Sequence, residues 1–476
     1  VTIRFGTDGW RAVISETFTF ANLRLLAQAI ADLILEENND GEHHAVVGFD
    51  TRFLSDRYGH EVARVLAGNG IRVLLTSSDA PTPAVSYTVK DSGAAAGVMI
   101  TASHNAPRYN GVKLKAAFGG AALPDQGRRV EVHLRDNEER ARGPNLIDFT
   151  FAAKQGLIEL FNPAPAYYAH LRTLVNLDAI CQADLGVIHD PMYGSGRGYI
   201  KALLGGVGCP VHEVRGEMNP GFGGIHPEPL AKYLAALAAA LQSGFGSVGI
   251  ATDGDADRIG AMDGTGRFVD PHRIFALVLK YLVEERGQTG CVVRTVSTTR
   301  MVDRLCQRYG LELRETPVGF NHIADIMLTE DVLIGGEESG GMSVKGHIPE
   351  GDGILMGLLL LEVIAKSGKP LEVLVDELEA DVGPAHYART DLRLSRPVIK
   401  ADMVRQLSEG APDQIAGMDV AEVSTVDGVK YIMADDSWLL IRPSGTEPVL
   451  RVYAEATNEA LRAGLLAYGQ EIAESV

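Results

Sequence analysis

The sequence predicts an α/β protein of several domains that ends in an α+β segment, and three observations carry that reading. Short apolar, β-branched runs alternate with stretches of helical periodicity along most of the chain. Glycine is plentiful, 53 of 476 residues, and many glycines stand just after those runs, where α/β proteins carry functional loops. Beyond Ser367-Gly368-Lys369-Pro370 the texture changes, with alternating strands near Asp391–Leu394 and Lys430–Met433 followed by a helix from Glu459.

The elements follow in order. Leu26, Ala29, Ile30 and Leu33 recur at helical spacing. His44–Asp50, Ile71–Thr76 and Gly97–Thr101 then read as buried strands, and the alternation returns at Leu185–His189, Val248–Asp253, Cys291–Val296 and Val332–Gly335. Strands separated by helices imply parallel or mixed sheets with helices on both faces. The chain is too long for one ordinary core, and length alone implies about three or four domains. Gly143-Pro144-Asn145 with Asn162-Pro163-Ala164-Pro165 not far beyond, the turn-rich segment Met262 to Arg267 and the break at Ser367 set the expected seams. The resulting domains are 1–150, 151–266, 267–370 and 371–476. No period of 20–50 residues is present, which excludes a solenoid.

Composition narrows the partners. The formal charge of −18 opposes nucleic acid and acidic membranes, so a phosphorylated substrate needs a local basic site. Cys181, Cys209, Cys291 and Cys306 form no C-x-x-C pair and read as reduced, buried thiols. Val1-Thr2-Ile3-Arg4 lacks the apolar core of a signal peptide, and the longest apolar stretch, Ile354 to Ala365, is interrupted by Gly357 and Glu362. The expectation is a cytoplasmic protein, monomer or homodimer.

Four loops carry chemistry. Thr101-Ala102-Ser103-His104-Asn105 follows a buried strand, with Arg108 and Lys113 downstream as cations for a phosphoryl group. A Ser/Asn-rich turn would give the same pattern. G-x-S-x-G is absent, which weighs against a hydrolase nucleophile. Adjacent side chains of an extended segment point oppositely, so Ser103 and His104 are not expected to pair. Asp253-Gly254-Asp255-Ala256-Asp257-Arg258 places three carboxylates at alternate positions, which suits a hard divalent cation. An EF-hand fails on spacing, because Arg258 and Gly264 fall where Gly and Glu belong.

Gly335-Gly336-Glu337-Glu338-Ser339-Gly340-Gly341 offers Glu337 and Ser339 to sugar hydroxyls. Arg442-Pro443-Ser444-Gly445-Thr446-Glu447-Pro448 combines an arginine, two hydroxyls and a turn glycine as a phosphate cradle, without the Gly-Lys-Ser/Thr ending of a P-loop. Gly194-Ser195-Gly196-Arg197-Gly198 fails as a dinucleotide fingerprint, because Tyr199 stands where Gly is required.

These loops in this order, together with Phe5-Gly6-Thr7-Asp8-Gly9-Trp10-Arg11, resemble the α-D-phosphohexomutase family over the length of the chain. The resemblance implies three related α/β domains with mixed sheets plus a C-terminal α+β domain of TATA-binding-protein-like type. Together they form a heart around a central cleft, each giving one loop. It implies Ser103 as a phosphoserine whose oxygen joins Asp253, Asp255 and Asp257 on Mg²⁺. It implies Glu337 and Ser339 as sugar contacts, Arg442, Ser444, Gly445 and Thr446 as phosphate contacts, and Arg11, Lys113 and Arg258 beside the phosphoserine and metal.

The activity so implied is interconversion of hexose 1-phosphate and 6-phosphate through a bisphosphorylated sugar, with sugar phosphates as the small-molecule partners. The loop G-E-E-S is closer to glucose-type loops than to G-E-Q-S or G-E-M-S, which points to glucose or mannose, with a phosphoglucosamine mutase as the alternative. An aspartyl-phosphate phosphatase with Asp253 as nucleophile and a non-catalytic sugar-phosphate binder are the other classes. The sequence departs from the family at Phe320, where some members carry an acid–base His. That leaves Lys113 as the candidate acid–base group, followed by His322; His347 either reaches the ligand or lines the cleft.

Overall fold

The computed structural model describes residues 3–5, 9–37, 43–394, 399–443 and 449–475. Four sheets, among the described residues, order the chain. The first holds β1 (Trp10–Val13), β2 (His44–Phe49), β3 (Arg72–Thr76), β4 (Ala96–Ile100), β5 (Tyr109–Ala116) and β6 (Ile158–Phe161) in the order β1-β5-β4-β2-β3-β6. The second holds β7 (Val187–Asp190), β8 (Val211–Glu213), β9 (Val248–Thr252), β10 (Ile259–Asp263) and β11 (Phe268–Val269) in the order β11-β10-β9-β7-β8. In the third, β12 (Cys291–Thr295), β13 (Leu313–Thr316), β14 (Val332–Gly336) and β15 (Met342–Val344) run β13-β12-β14-β15.

The three sheets share one plan. In each, a first strand is flanked by two parallel partners (β2 by β3 and β4, β7 by β8 and β9, β12 by β13 and β14). The last of these then turns back into an antiparallel neighbour, β5, β10 or β15. Helices make the parallel crossovers, as that pairing requires: Ser55–Gly68 and Thr82–Ser92 in the first domain, Tyr199–Gly205 and Ala235–Gln242 in the second, Arg300–Tyr309 and Phe320–Thr329 in the third. The point where direction reverses lies at the carboxyl end of a parallel strand. The residues 101–108, 253–258 and 337–341 occupy that point in the three domains.

The fourth sheet is antiparallel throughout. It holds β16 (His386–Arg393), β17 (Gln414–Ile415), β18 (Met418–Ser424), β19 (Val429–Met433), β20 (Trp438–Pro443) and β21 (Val449–Ala456) in the order β16-β21-β20-β19-β18-β17, and the helix Glu459–Ser475 packs on it.

Two expected seams differ from the structure. Strand β6 pairs with β3 and completes the first sheet, so that domain runs past residue 150. The helix Leu371–Val382 buries Leu371, Leu374, Val375 and Leu378 in the third domain's core, past the seam at 370. Gly/Pro punctuation marks loops on either side of such elements and does not say which sheet claims them.

The cores are not one per domain. The first and fourth domains each have a cluster of their own, the second and third share a continuous one, and Val296 of the third packs with Ile432, Trp438, Leu440 and Tyr453 of the fourth. The helix Gly353–Ser367 runs through the shared cluster, with Ile354, Leu355, Met356 and Leu358 to Leu361 fully buried. No helix among the described residues is long and apolar enough to cross a membrane.

Candidate active site

Ser103 is buried, 1% exposed, and sits in a left-handed backbone conformation with φ 50°. That conformation is uncommon for a residue with a Cβ and persists where the surroundings enforce it. Arg52 does so here. It follows β2 in Asp50-Thr51-Arg52 and donates from Nη2 to the carbonyls of Ser103 at 2.6 Å and Asn105 at 2.7 Å. Nη1 donates to the carbonyls of Ala106 and Tyr109, each at 3.0 Å. Asp50, itself buried, balances the guanidinium at 3.1 Å.

The same conformation corrects one expectation. The segment is not extended at Ser103, so the alternation argument fails, and His104 Nδ1 lies 3.3 Å from Ser103 Oγ. Burial, then the nearby Arg258, Arg11, Lys113 and Arg52, push His104 well below the ordinary imidazole range and keep it neutral.

Ser103 Oγ donates to Asp253 Oδ2 at 2.9 Å, across the first and second domains. The approach depends on Gly254, where a Cβ would stand 2.4 Å from the Ser103 carbonyl oxygen. Asp253, Asp255 and Asp257 each offer an oxygen within 4.8 Å of the others. Lys113 on β5 reaches Asp257 at 2.6 Å and Asp255 at 3.0 Å. Thr82 donates its hydroxyl to Asp255 Oδ2 at 2.6 Å.

Burial, then repulsion from Asp257 and Asp255, drives the Asp253 carboxyl well above the usual carboxylate range. Burial opposes the Asp255 charge too, but Lys113 and Thr82 outweigh it and hold that carboxyl below the usual range. Asp255 Oδ1 and Asp257 Oδ1 are buried with no hydrogen-bond partner among the described residues. A hard divalent cation ligated by oxygen would satisfy both, so the triad fits a metal ion. The other cluster of ligand-type groups, Cys291, Glu312 and Glu330, already holds Arg314 at 2.7 Å from Glu312. Burial pushes the Cys291 thiol up to about 11, so it stays protonated at neutral pH.

Two more of the predicted residues, Arg11 and Arg258, stand beside this centre. Arg11, on β1, donates to Asn105 Oδ1 at 2.9 Å. The Arg258 amide donates to Asp253 Oδ1 at 3.2 Å, and its guanidinium stands 3.8 Å from Glu228. Burial disfavours the Arg258 charge, but Asp257, Asp253, Glu228 and Glu337 outweigh it and raise its pKa. The third domain's loop packs against this one, since the Ile259 amide donates to the Gly340 carbonyl at 3.2 Å.

In that loop Glu337 Oε1 accepts the Gly319 amide at 2.9 Å and Ser339 donates to Oε2 at 3.4 Å. Burial, then Glu338, pushes Glu337 up to about 7. Arg442, at the end of β20, donates from Nε to Asp427 at 2.6 Å. Ser444, Gly445 and Thr446 lie outside the described residues.

His322 lies in the first turn of the helix Phe320–Thr329, whose first residue is Phe320. His347 is buried between His170 at 2.9 Å and Asp352 at 3.0 Å, in a contact between the second and third domains. Asp352 also caps the helix Gly353–Ser367 and accepts the Tyr167 hydroxyl at 2.7 Å. The Gly194 loop, which fails as a dinucleotide site, lies beneath the Asp253 loop, with the Ser195 amide donating to the Gly254 carbonyl at 3.0 Å.

Sequence reasoning missed Arg52 and Thr82, and it set His104 aside as a partner of Ser103. Only Asp50-Thr51-Arg52 left a signal, as a charged pair closing a buried strand.

Four family models match the chain in order. They are the phosphoglucomutase/phosphomannomutase alpha/beta/alpha domains I (residues 2–141), II (165–266) and III (270–381), and the C-terminal domain (401–468). A phosphoglucomutase/phosphomannomutase of Thermococcus kodakarensis is 30% identical over 99% of this chain and 98% of its own. A probable phosphoglucosamine mutase of Methanothermobacter thermautotrophicus is 32% identical over 96% of this chain and 94% of its own. The crystal structure of a candidate phosphomannomutase from Thermus thermophilus superposes with a TM-score of 0.86 at 36% identity, covering 100% of this chain and 99% of that one. With four domains of matching order and a serine, a carboxylate triad and a sugar-type loop set together, the chain belongs to the phosphoglucomutase/phosphomannomutase family of phosphoryl-transferring mutases.

Proposed function

We propose that the protein interconverts hexose 1-phosphate and hexose 6-phosphate, with glucose or mannose as the sugar, through a phosphoserine at Ser103. The observation that carries the reading is Ser103 Oγ at 2.9 Å from Asp253, with Lys113 and the rest of the triad around it. Mg²⁺ held by Asp253, Asp255, Asp257 and a phosphoserine oxygen would neutralise charge on the transferring group.

The residues divide the work. The free hydroxyl of the bound sugar phosphate attacks the phosphorus on Ser103, the bond from phosphorus to Ser103 Oγ breaks, and Oγ takes up a proton from Asp253 or His104, the groups within reach of it. This yields a sugar bisphosphate. Lys113 is the acid–base candidate for the sugar hydroxyl proton. When the turned-over bisphosphate returns its other phosphate, Ser103 Oγ loses a proton, and Asp253 Oδ2 and His104 Nδ1 stand within reach of it. Glu337 and Ser339 take sugar hydroxyls, while Arg442 with Ser444, Gly445 and Thr446 holds the phosphate that is not reacting. Arg11 and Arg258 flank the reacting phosphate. Exclusion of water during the turnover protects the phosphoserine from hydrolysis.

The relatives carry both hexose and glucosamine names, and Glu337-Glu338-Ser339 favours the hexose side. Comparing kcat/KM for glucose, mannose and glucosamine 1-phosphates with Mg²⁺ decides it. A glucosamine preference replaces the hexose reading with the phosphoglucosamine one. Near-normal turnover of Ser103→Ala with added bisphosphate would overturn the phosphoserine mechanism. An acid-labile phosphate on the Asp253 peptide, with none on Ser103, would favour a phosphatase instead. The chain is read as a cytoplasmic enzyme working on small metabolites, its formal charge of −18 opposing nucleic acid and acidic membranes.

A further inference from the structure

Asp427 lies in the turn between β18 and β19 and is 6% exposed. Its Oδ2 accepts from Arg442 Nε at 2.6 Å and from the Val318 backbone amide at 3.2 Å, and its Oδ1 accepts from Lys400 at 2.5 Å. The Arg442 contact lies within the fourth domain, whereas Val318 belongs to the third. The next amide along, that of Gly319, donates to Glu337 Oε1 at 2.9 Å. Two successive amides thus face opposite ways in function: one holds the brace of the phosphate loop, the other holds the sugar acceptor. Gly428 keeps the brace in place. It has φ +96°, and a Cβ there would stand 2.5 Å from the Ile441 carbonyl oxygen and 3.0 Å from the Arg442 Cα. No other residue type lets the β19 turn lie so close against Arg442.

We propose that Asp427 is a positioning residue which couples the grip of Arg442 on the distal phosphate to the presentation of Glu337 to the sugar. The inference rests on the mutase reading of the site. A carboxylate beside a bound phosphate repels it, so Asp427 contributes through orientation and not through attraction. Its bond to Nε fixes the plane of the guanidinium. Its bond to Val318 fixes the strand end from which Gly319 holds Glu337. A phosphate that settles Arg442 therefore settles the Glu337 carboxylate in the same event, with the 318–319 backbone as the connecting piece. Asp427 and Glu337 share no direct bond, so coupling between them is a property of this chain of contacts.

The test is a double-mutant cycle on kcat/KM for the preferred hexose 1-phosphate, using Asp427→Ala, Glu337→Gln and the pair. The expected result is that the pair loses less than the product of the single losses, by about tenfold. Asp427→Asn, which keeps an acceptor oxygen for Val318 and Arg442, recovers a large part of the Asp427→Ala loss and raises KM more than it lowers kcat. Losses that multiply within about twofold, or an Asn variant no better than Ala, would overturn the coupling. If Asp427→Ala does not fold, Asp427→Ser, whose shorter side chain cannot span Arg442 and Val318 together, takes its place in the cycle. Wild-type turnover of hexose 1-phosphate, and its loss in Ser103→Ala, test the functional reading separately, so a negative cycle in an active mutase condemns the coupling alone.

Discussion

Thr82 Oγ1 donates to Asp255 Oδ2 at 2.6 Å, and the Thr82 amide donates to the Asp255 backbone carbonyl at 2.9 Å. A residue of the first domain thus clamps a metal-type carboxylate of the second by both side chain and backbone. Partners behind a ligand fix its orientation and are typically worth about 10- to 100-fold in metal affinity. Thr82→Val keeps the shape and the amide contact but removes the hydroxyl. The expected outcome is a rise of about tenfold or more in the Mg²⁺ concentration for half-maximal turnover, with little change in rate at saturating Mg²⁺. A Mg²⁺ titration of initial rates checks it.

Gly254→Ala addresses the approach of the first two loops. The added Cβ meets the Ser103 carbonyl oxygen at 2.4 Å, so one loop must retreat. Displacements of about an ångström at a reacting atom cost on the order of 100-fold in rate. Turnover is expected to fall by that order, while the thermal midpoint moves little, because the strain is confined to two loops. Parallel rate and melting measurements separate the two effects.

Arg52 combines structure with preorganisation. Removing it leaves Asp50 buried without a counter-charge and takes a donor from the carbonyls of Ser103, Asn105, Ala106 and Tyr109. Breaking a buried pair in this way costs about 3–5 kcal/mol. Arg52→Met is expected to lower the urea midpoint accordingly. Arg52→Lys retains the charge without the planar fork, so it recovers part of the stability and little of the activity.

Lys430 on β19 is fully buried at the joint of the third and fourth domains, with its ammonium 2.7 Å from the Val296 carbonyl and 4.5 Å from the centre of the Trp438 ring. Burial, then Arg294, holds its pKa down to about 8 from an ordinary 10.5. Below about pH 8 both folded and unfolded chains carry the proton, and the cost of burying the charge is present in full. Between about pH 8 and 10.5 the unfolded chain holds a proton that the folded chain has released, so stability rises with pH. The rise amounts to about 3 kcal/mol. Lys430→Met is expected to lack this increment, read as the wild-type minus variant difference in unfolding free energy across that window.

The sheets and loops of this chain are largely legible in its sequence, for a local reason. Val46, Val47, Val98 and Ile100 are apolar because both faces of their sheet are covered, and Asp253-Gly254-Asp255 interrupts such a strand with groups that only a site tolerates. What stays hidden is whatever depends on the far end of a contact. Thr82 opens a helix beside Pro83 and looks like an ordinary starting residue; its partner is 173 positions away. Asp427-Gly428 reads as a common hairpin turn until Arg442 and Val318 are seen to meet there. The expectation that Ser103 and His104 point apart fails because alternation presumes an extended backbone, and Arg52 holds that backbone bent from the loop after β2. The seam at 150 fails for a related reason: Ile158–Phe161 is a short strand that only its parallel partner assigns to the first sheet.

The continuous core beneath the second and third domains has a consequence for taking the protein apart. Four sheets need not mean four independent folding units. The two middle domains bury their apolar residues against the same helix, Gly353–Ser367, so neither can unfold and leave the other's interior intact. Denaturant should release three blocks, with the central pair melting as one. A recombinant exchange between relatives that transplants the second domain alone should give insoluble protein, whereas exchange of the fourth, most of whose interior is its own, should give a folded hybrid.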